Sequence, residues 1–166
     1  MKEFLLAFIG SFTGAILFNI ERYNLFWAGL CGGFAWIIYK AIFEYSSRGI
    51  YATFLAAIFV GLYSEIMARR LKTPAYVFSI PGMYPLVPGI MAFDTITLLV
   101  FGKLEKGINK GIETAATAGA IAFGILLASN IYQILDKLIC ENFKSETKSK
   151  NLAVWRGNIR GFMNLY

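Results

Sequence analysis

Five long apolar runs, separated by short charged stretches, constrain this chain more than any other feature: residues 4–20, 25–43, 50–68, 75–101 and 112–135. A helix needs roughly 20 apolar residues to cross a hydrocarbon core of about 30 Å, and these runs approach or exceed that length. Transmembrane β-strands would alternate apolar and polar residues over about ten positions, whereas these runs are continuous. The sequence therefore specifies an all-α integral membrane protein, a bundle of about five transmembrane helices. Its hydrophobic content of 57% and mean hydropathy of +0.58 agree, because soluble domains hold only about 45–50% apolar residues.

The helical domain is expected to occupy residues 1–143, followed by a basic tail over 144–166. That tail mixes Lys144, Lys148, Lys150, Arg156 and Arg160 with Trp155, Phe162 and Tyr166. It is expected to be partly disordered or to lie on membrane lipids. Residues 4–20 have the length of a signal peptide, but Lys2 beside Glu3 makes a poor positive region and no small-residue cleavage site follows. A retained first helix is expected.

The net charge of +6 resides in the short loops and the tail, as membrane topology requires, and no nucleic-acid partner is expected. With five crossings, Arg22, Arg69, Arg70, Lys72, Lys137 and the five tail cations put ten positive charges on one side. Lys2, Lys40, Arg48, Lys103, Lys106 and Lys110 put six on the other. The positive-inside rule then places the N-terminus outside and the C-terminus inside the cell membrane. The chain has two cysteines and no histidine, and no paired carboxylates or nucleophile–base constellation stand out. Neither a metal, a cofactor, a catalytic residue nor an enzymatic activity is expected.

Small residues recur at four-residue spacing: Gly10 and Gly14, Gly29 and Gly33, Ala52 and Ala56, then Ala116, Ala120, Gly124 and Ala128. Such stripes let backbones approach closely, which matters in lipid because no hydrophobic force drives helices together. They mark packing faces, within the chain or against another subunit, and an oligomer is expected.

All four prolines fall between Thr73 and Gly89. As one straight helix, residues 75–101 would measure about 40 Å at 1.5 Å per residue and overshoot the hydrocarbon core. Pro81, Pro85 and Pro88 each remove an amide donor and clash with the preceding turn, while Gly82 and Gly89 tolerate unusual backbone angles. The fourth transmembrane helix is thus broken. Its break should face the bundle interior, because unsatisfied backbone in lipid costs several kcal/mol. A second half-helix from Ile90 would present free amides near Gly89, a natural seat for a carboxylate and a device of many secondary transporters. A kinked structural helix or a re-entrant loop is the alternative.

Asp94, flanked by Thr95 and Thr97, is an ionisable group in an apolar span and so a candidate for binding a substrate ammonium or carrying a proton. Alternatively it caps a shorter helix beginning at Thr95, or sits near a membrane surface. Glu65 is placed to pair with Arg69, and Lys40 and Lys137 to snorkel from helix ends. Asn19, Asn130 and Gln133 are candidates for interhelical hydrogen bonds.

From Thr73 to Thr95 the chain resembles the small subunit of the threonine/serine exporter family, equivalent to the C-terminal half of single-chain exporters. The resemblance rests on Arg70, Pro74, Phe78, Pro85, Pro88, Gly89 and Ile90, with Phe93 close behind, and continues through the Ala/Gly-rich helix to about Asn130. Before residue 70 the likeness is mainly in hydropathy and length. Pro81-Gly82 and the long basic tail depart from the pattern.

The resemblance implies proton-driven export of small hydroxy amino acids, or of a dicarboxylate such as succinate, with a larger transporter subunit supplying the other helical half. The implied substrate path includes Pro85, Pro88, Gly89, Asp94 and Thr95, with Arg69 and Arg70 near the inner mouth. A membrane scaffold or assembly factor, in which the prolines are architectural, is the competing class.

Overall fold

The computed structural model describes residues 2–163, with side chains described for 2–135, 137 and 138. Helix α1 spans Lys2–Leu17, α2 Arg22–Ser46, α3 Gly49–Leu71, α4 Tyr76–Met83, α5 Gly89–Val100 and α6 Leu104–Met163. A 3₁₀ turn, Tyr84–Leu86, follows α4, and no strand occurs among the described residues. The chain divides into two units, Met1–Ser129 and Asn130–Tyr166, and the packing below belongs to the first. The basic side chains of the tail after Asp136, apart from Lys137, lie outside the described residues.

Helices stop where the charged punctuation falls, and left-handed residues close them. Asn19, Ser47 and Lys72 have φ of 53°, 52° and 53°, and Gly102 turns the chain at 75°. The amide of Ser47 caps the Phe43 carbonyl at 2.8 Å, which satisfies one of the orphan acceptors at the end of α2. Asn19 thus serves as a turn residue, a role its short polar side chain suits, rather than as interhelical glue.

All five apolar runs are largely helical, but among the described residues only α2, α3 and Leu104–Leu135 of α6 are long and apolar enough alone to cross a membrane. Tyr76–Leu86 and Gly89–Val100 add a fourth span if taken together, bent by 52°. Helix α1, with 16 residues, measures about 24 Å at 1.5 Å per residue, less than a full hydrocarbon core.

Helices α1 and α2 form an antiparallel hairpin in which the Phe8 ring covers Gly29 and the Phe4 ring covers Gly33. Helices α3 and α6 run parallel, as the intervening broken span requires. Gly61 faces Ala128, and Gly124 faces Ala57, so closely that a Cβ on Gly124 would come within 2.9 Å of the Phe54 carbonyl oxygen. Gly107 and Gly111 of α6 meet Leu99 and Thr95 of α5 in an antiparallel pair. The stripes hold only in part, since Gly10 has open space beyond it and Ala116 is exposed.

The core consists mainly of small side chains. Cys31, Ala35, Ala56, Ala57 and Val60 are fully buried around Leu86 and Ile121. A second cluster joins Ala15 and Ala28 to Phe78 of α4. Among the fully buried side chains Phe78 is the largest, and it anchors the first half of the broken span.

Candidate functional site

The break begins in the core. Pro81 lies inside α4, fully buried, and cannot donate to the carbonyl four residues earlier. A Cβ on Gly82 would stand 2.5 Å from the Cys31 sulfur and 3.2 Å from Val60 Cγ1, so glycine is what allows the fault to sit against α2 and α3. Pro85 then tightens the chain into the 3₁₀ turn. Val87 is extended, at φ −63° and ψ 127°, and Pro88 leads into α5. The proline–glycine spacing therefore located the fault, and Pro81-Gly82 forms its buried part.

The candidate residues separate into two environments. Pro85 is half-buried, packs towards Gly32 beside Ser11, and lines a small cavity of about 240 Å³ with Glu3, Leu6, Ala7 and Trp36. Pro88 is half-buried at the start of α5, whereas Gly89 is exposed with nothing within 4 Å of where a Cβ would stand. The Gly89 amide reaches the Val87 carbonyl at 2.8 Å and the Ala92 amide the Pro88 carbonyl at 3.0 Å. The amides between them, of Ile90 and Met91, open the helix without an intrahelical acceptor.

Asp94 lies in the middle of α5, which begins at Gly89, so it does not cap a helix starting at Thr95. Its side chain is exposed and has no hydrogen-bond or ion-pair partner among the described residues. Thr95 is half-buried on the side of α5 that meets α6. Its hydroxyl donates to the Met91 carbonyl at 2.8 Å, and its oxygen lies 3.4 Å from the Thr114 hydroxyl. Arg69 and Arg70 are exposed in the last turn of α3, where cations complement the helix dipole.

Three polar features escaped the sequence reading. Ser11 is fully buried against Gly32 with no hydrogen-bond partner for its hydroxyl, and Asn24 is 2% exposed with an unpartnered Oδ1. Ser11 lies on the same α1 face as Ala7, Gly14 and Ala15, so the helical period from those residues was the available signal. Lys40 does not simply snorkel: its ammonium donates to both oxygens of Glu3 at 2.6 and 2.7 Å, and the Trp36 indole N–H donates to Glu3 Oε2 at 3.4 Å. Those bonds, Lys40 first and Trp36 next, hold the Glu3 carboxyl below its usual range. Glu113 likewise pairs with Lys110 at 3.1 Å.

No cluster of three or more cysteine, aspartate or glutamate side chains able to hold a metal occurs among the described residues. The family model described as "Threonine/Serine exporter, ThrE" matches residues 3–131, which takes in both halves of the broken span and the α3–α6 seam. A probable threonine/serine exporter of Mycobacterium tuberculosis is 28% identical over 128 residues, covering 74% of this chain and 24% of that relative. The chain thus spans about a quarter of the length of the curated relative it matches. No solved structure matches. With the family model covering most of the membrane-embedded bundle and the proline–glycine fault at its centre, the chain belongs to the threonine/serine exporter family.

Proposed function

We propose that this chain is a subunit of a secondary transporter that exports small hydroxy amino acids, threonine and serine, across the inner (cell) membrane. The observation that carries the reading is the broken span: a fault seated in the core at Pro81-Gly82 and released at Gly89, where a half-helix opens with free amides. Broken helices of this kind create substrate sites in secondary transporters, because their amides and dipole receive a carboxylate without a dedicated cation. Membership of the exporter family and the name of the mycobacterial relative support the substrate class.

In this proposal Pro85, Pro88 and Gly89 shape the permeation path, and the substrate carboxylate rests on the amides after Gly89. Asp94 exchanges the coupling proton, Thr95 borders the substrate path, and Arg69 and Arg70 flank the inner mouth. A larger partner subunit supplies the other helical half, consistent with the small share of the relative that this chain spans. Such a partner would also cover Asp94, since an ionisable group facing lipid is costly. Alternating access is the rocking of this half against its partner, within an oligomeric assembly of paired halves.

The test is export of threonine, serine and succinate from cells that express this chain with and without its larger partner, with the proton gradient intact or collapsed. Gradient-dependent efflux of threonine and serine only when both subunits are present is the expected result. Efflux of succinate alone would reassign the substrate to a dicarboxylate on the same architecture. Co-purification with a non-transporter complex, and no efflux of any of the three, would favour a scaffold. Efflux that survives both Pro88→Ala and Asp94→Asn would remove the proposed site.

A further inference from the structure

A second place in the bundle holds opposite charges together in a cavity. The end of α2, the start of α3 and residues 110–120 of α6 line an open groove of about 850 Å³, with Met91 of α5 on its wall. That volume is in the range of small-molecule sites, roughly 300–1,000 Å³. The groove has a physical origin in the α3–α6 seam. These helices touch through Ala57, Gly61, Gly124 and Ala128, and nearer their N-terminal ends Tyr51, Thr53 and Phe54 of α3 and Lys110, Glu113 and Thr117 of α6 line the groove.

The groove carries the cations Arg48 and Lys110 and the carboxylate of Glu113. Lys110 occupies Glu113 Oε2 at 3.1 Å, which leaves Oε1 unpaired. The Arg48 guanidinium has no hydrogen-bond or ion-pair partner among the described residues, so its five N–H donors are unspent. The hydroxyls of Thr53 and Thr117 donate to the carbonyls of Gly49 and Glu113 at 2.9 and 2.8 Å, and their oxygens remain as acceptors. A simple anion would meet Glu113, and a simple cation would meet Arg48 and Lys110. A small molecule bearing both charges satisfies both.

We propose that this groove binds a small α-amino acid as its zwitterion, with the carboxylate on Arg48 and the ammonium on Glu113 Oε1. The proposal deepens the export reading and rests on it for the identity of the substrate. It adds a second station, on different residues from the amides after Gly89. Arg48 and Glu113 act here as binding residues, with Lys110 holding Glu113 in place.

The test measures binding of labelled L-threonine to the full chain assembled with its larger subunit in lipid nanodiscs, alongside export by the same variants in cells. Arg48→Gln and Glu113→Gln should each weaken binding about tenfold to a hundredfold, the usual cost of losing a hydrogen bond to a charged group. Arg48→Lys should fall between, since it keeps the charge and loses the fork. Threoninamide, which lacks the carboxylate, and 2,3-dihydroxybutanoate, which lacks the ammonium, should compete at least about tenfold more weakly than threonine. Tyr45→Phe, at a side chain 95% exposed and outside the groove, should leave binding unchanged. Wild-type affinity in both Arg48→Gln and Glu113→Gln, with export intact, overturns the groove and leaves the export reading standing. Absence of export by the wild-type pair overturns the export reading, while the threonine titration still decides the groove.

Discussion

Helices α3 and α5 are both strongly apolar, yet α3 buries eight of its residues and α5 buries none. The difference lies in size. Helix α3 presents Ala52, Ala56, Ala57, Gly61, Ser64 and Ala68 to its neighbours, whereas α5 carries Ile90, Phe93, Ile96, Val100 and, just past its end, Phe101 on exposed positions. In lipid, where apolar side chains gain little by leaving the solvent, helices associate through close backbone approach and dispersion. Small residues permit that approach within one chain. A bulky apolar face stays with lipid or meets a complementary surface on another subunit.

The sharpest way to break this contrast is to enlarge the seam. Gly124→Val should destabilise the bundle by about 1–3 kcal/mol, the cost of overpacking a tight interface. A Cβ there already meets Ala57 Cβ at 2.8 Å and the Phe54 carbonyl oxygen at 2.9 Å. Backbone cannot step aside as a side chain can. Denaturant or SDS titration of the purified protein in micelles measures the loss, and an unchanged midpoint would show that the α3–α6 contact is dispensable. Gly32→Ala should cost less, about 1–2 kcal/mol, because its new methyl strikes the Ser11 side chain alone at close range. Adding Ser11→Gly should recover most of that loss, a coupling that a double-mutant cycle reads directly.

How much of this was legible beforehand follows from the same physics. The all-helical class and the proline–glycine fault could be read because apolar length and proline chemistry act locally, whereas the count of five crossings could not, since α1 is short of a full span and the broken pair forms two helices. Gly29, Gly33, Gly124 and Ala128 could be read as packing positions because helical spacing is local too. Which helix each faces could not, since that depends on how the chain returns from its turns. Pro81-Gly82 stood out as a departure from the family, but its burial against Cys31 and Val60 is a tertiary fact. Ser11 and Asn24 were passed over because a buried hydroxyl or amide looks the same in sequence as an exposed one. Lys40 reads in sequence as a snorkelling cation, because only the α1–α2 hairpin brings Glu3, 37 residues away, against it.

That pair supplies a smaller effect. Glu3→Gln removes the charge that Lys40 contacts, but the two side chains are 50% and 46% exposed, so the loss should be slight and should shrink further at high salt. The pH dependence has a definite sign. Because Glu3 titrates below its usual range, its contribution is present above the unfolded-state value and disappears as pH falls through the folded one. Stability of the native chain should therefore decline on acidification below the ordinary carboxylate range, with a smaller decline in the glutamine variant. Equal acid limbs for the two proteins would show that the contact contributes nothing in micelles.

Asp94→Asn should have the smallest effect on the fold and the most informative one on function. The carboxylate lies on the exposed side of the helix that buries nothing, without a partner among the described residues. Removing its charge should leave stability of the isolated chain within about 0.5 kcal/mol, as for other surface substitutions. If the partner subunit covers this face and Asp94 carries the coupling proton, the same substitution should abolish gradient-dependent export from cells containing both subunits. The two readouts separate the roles that a bulky, unburied helix can have. A fold effect like that of Gly124→Val would mean that α5 is held within this chain by contacts its exposure does not reveal. An unchanged fold with lost export would mean that α5 keeps its apolar face for an interface and its carboxylate for the transported proton. No change in either would leave α5 a lipid-facing strut and move the coupling group elsewhere.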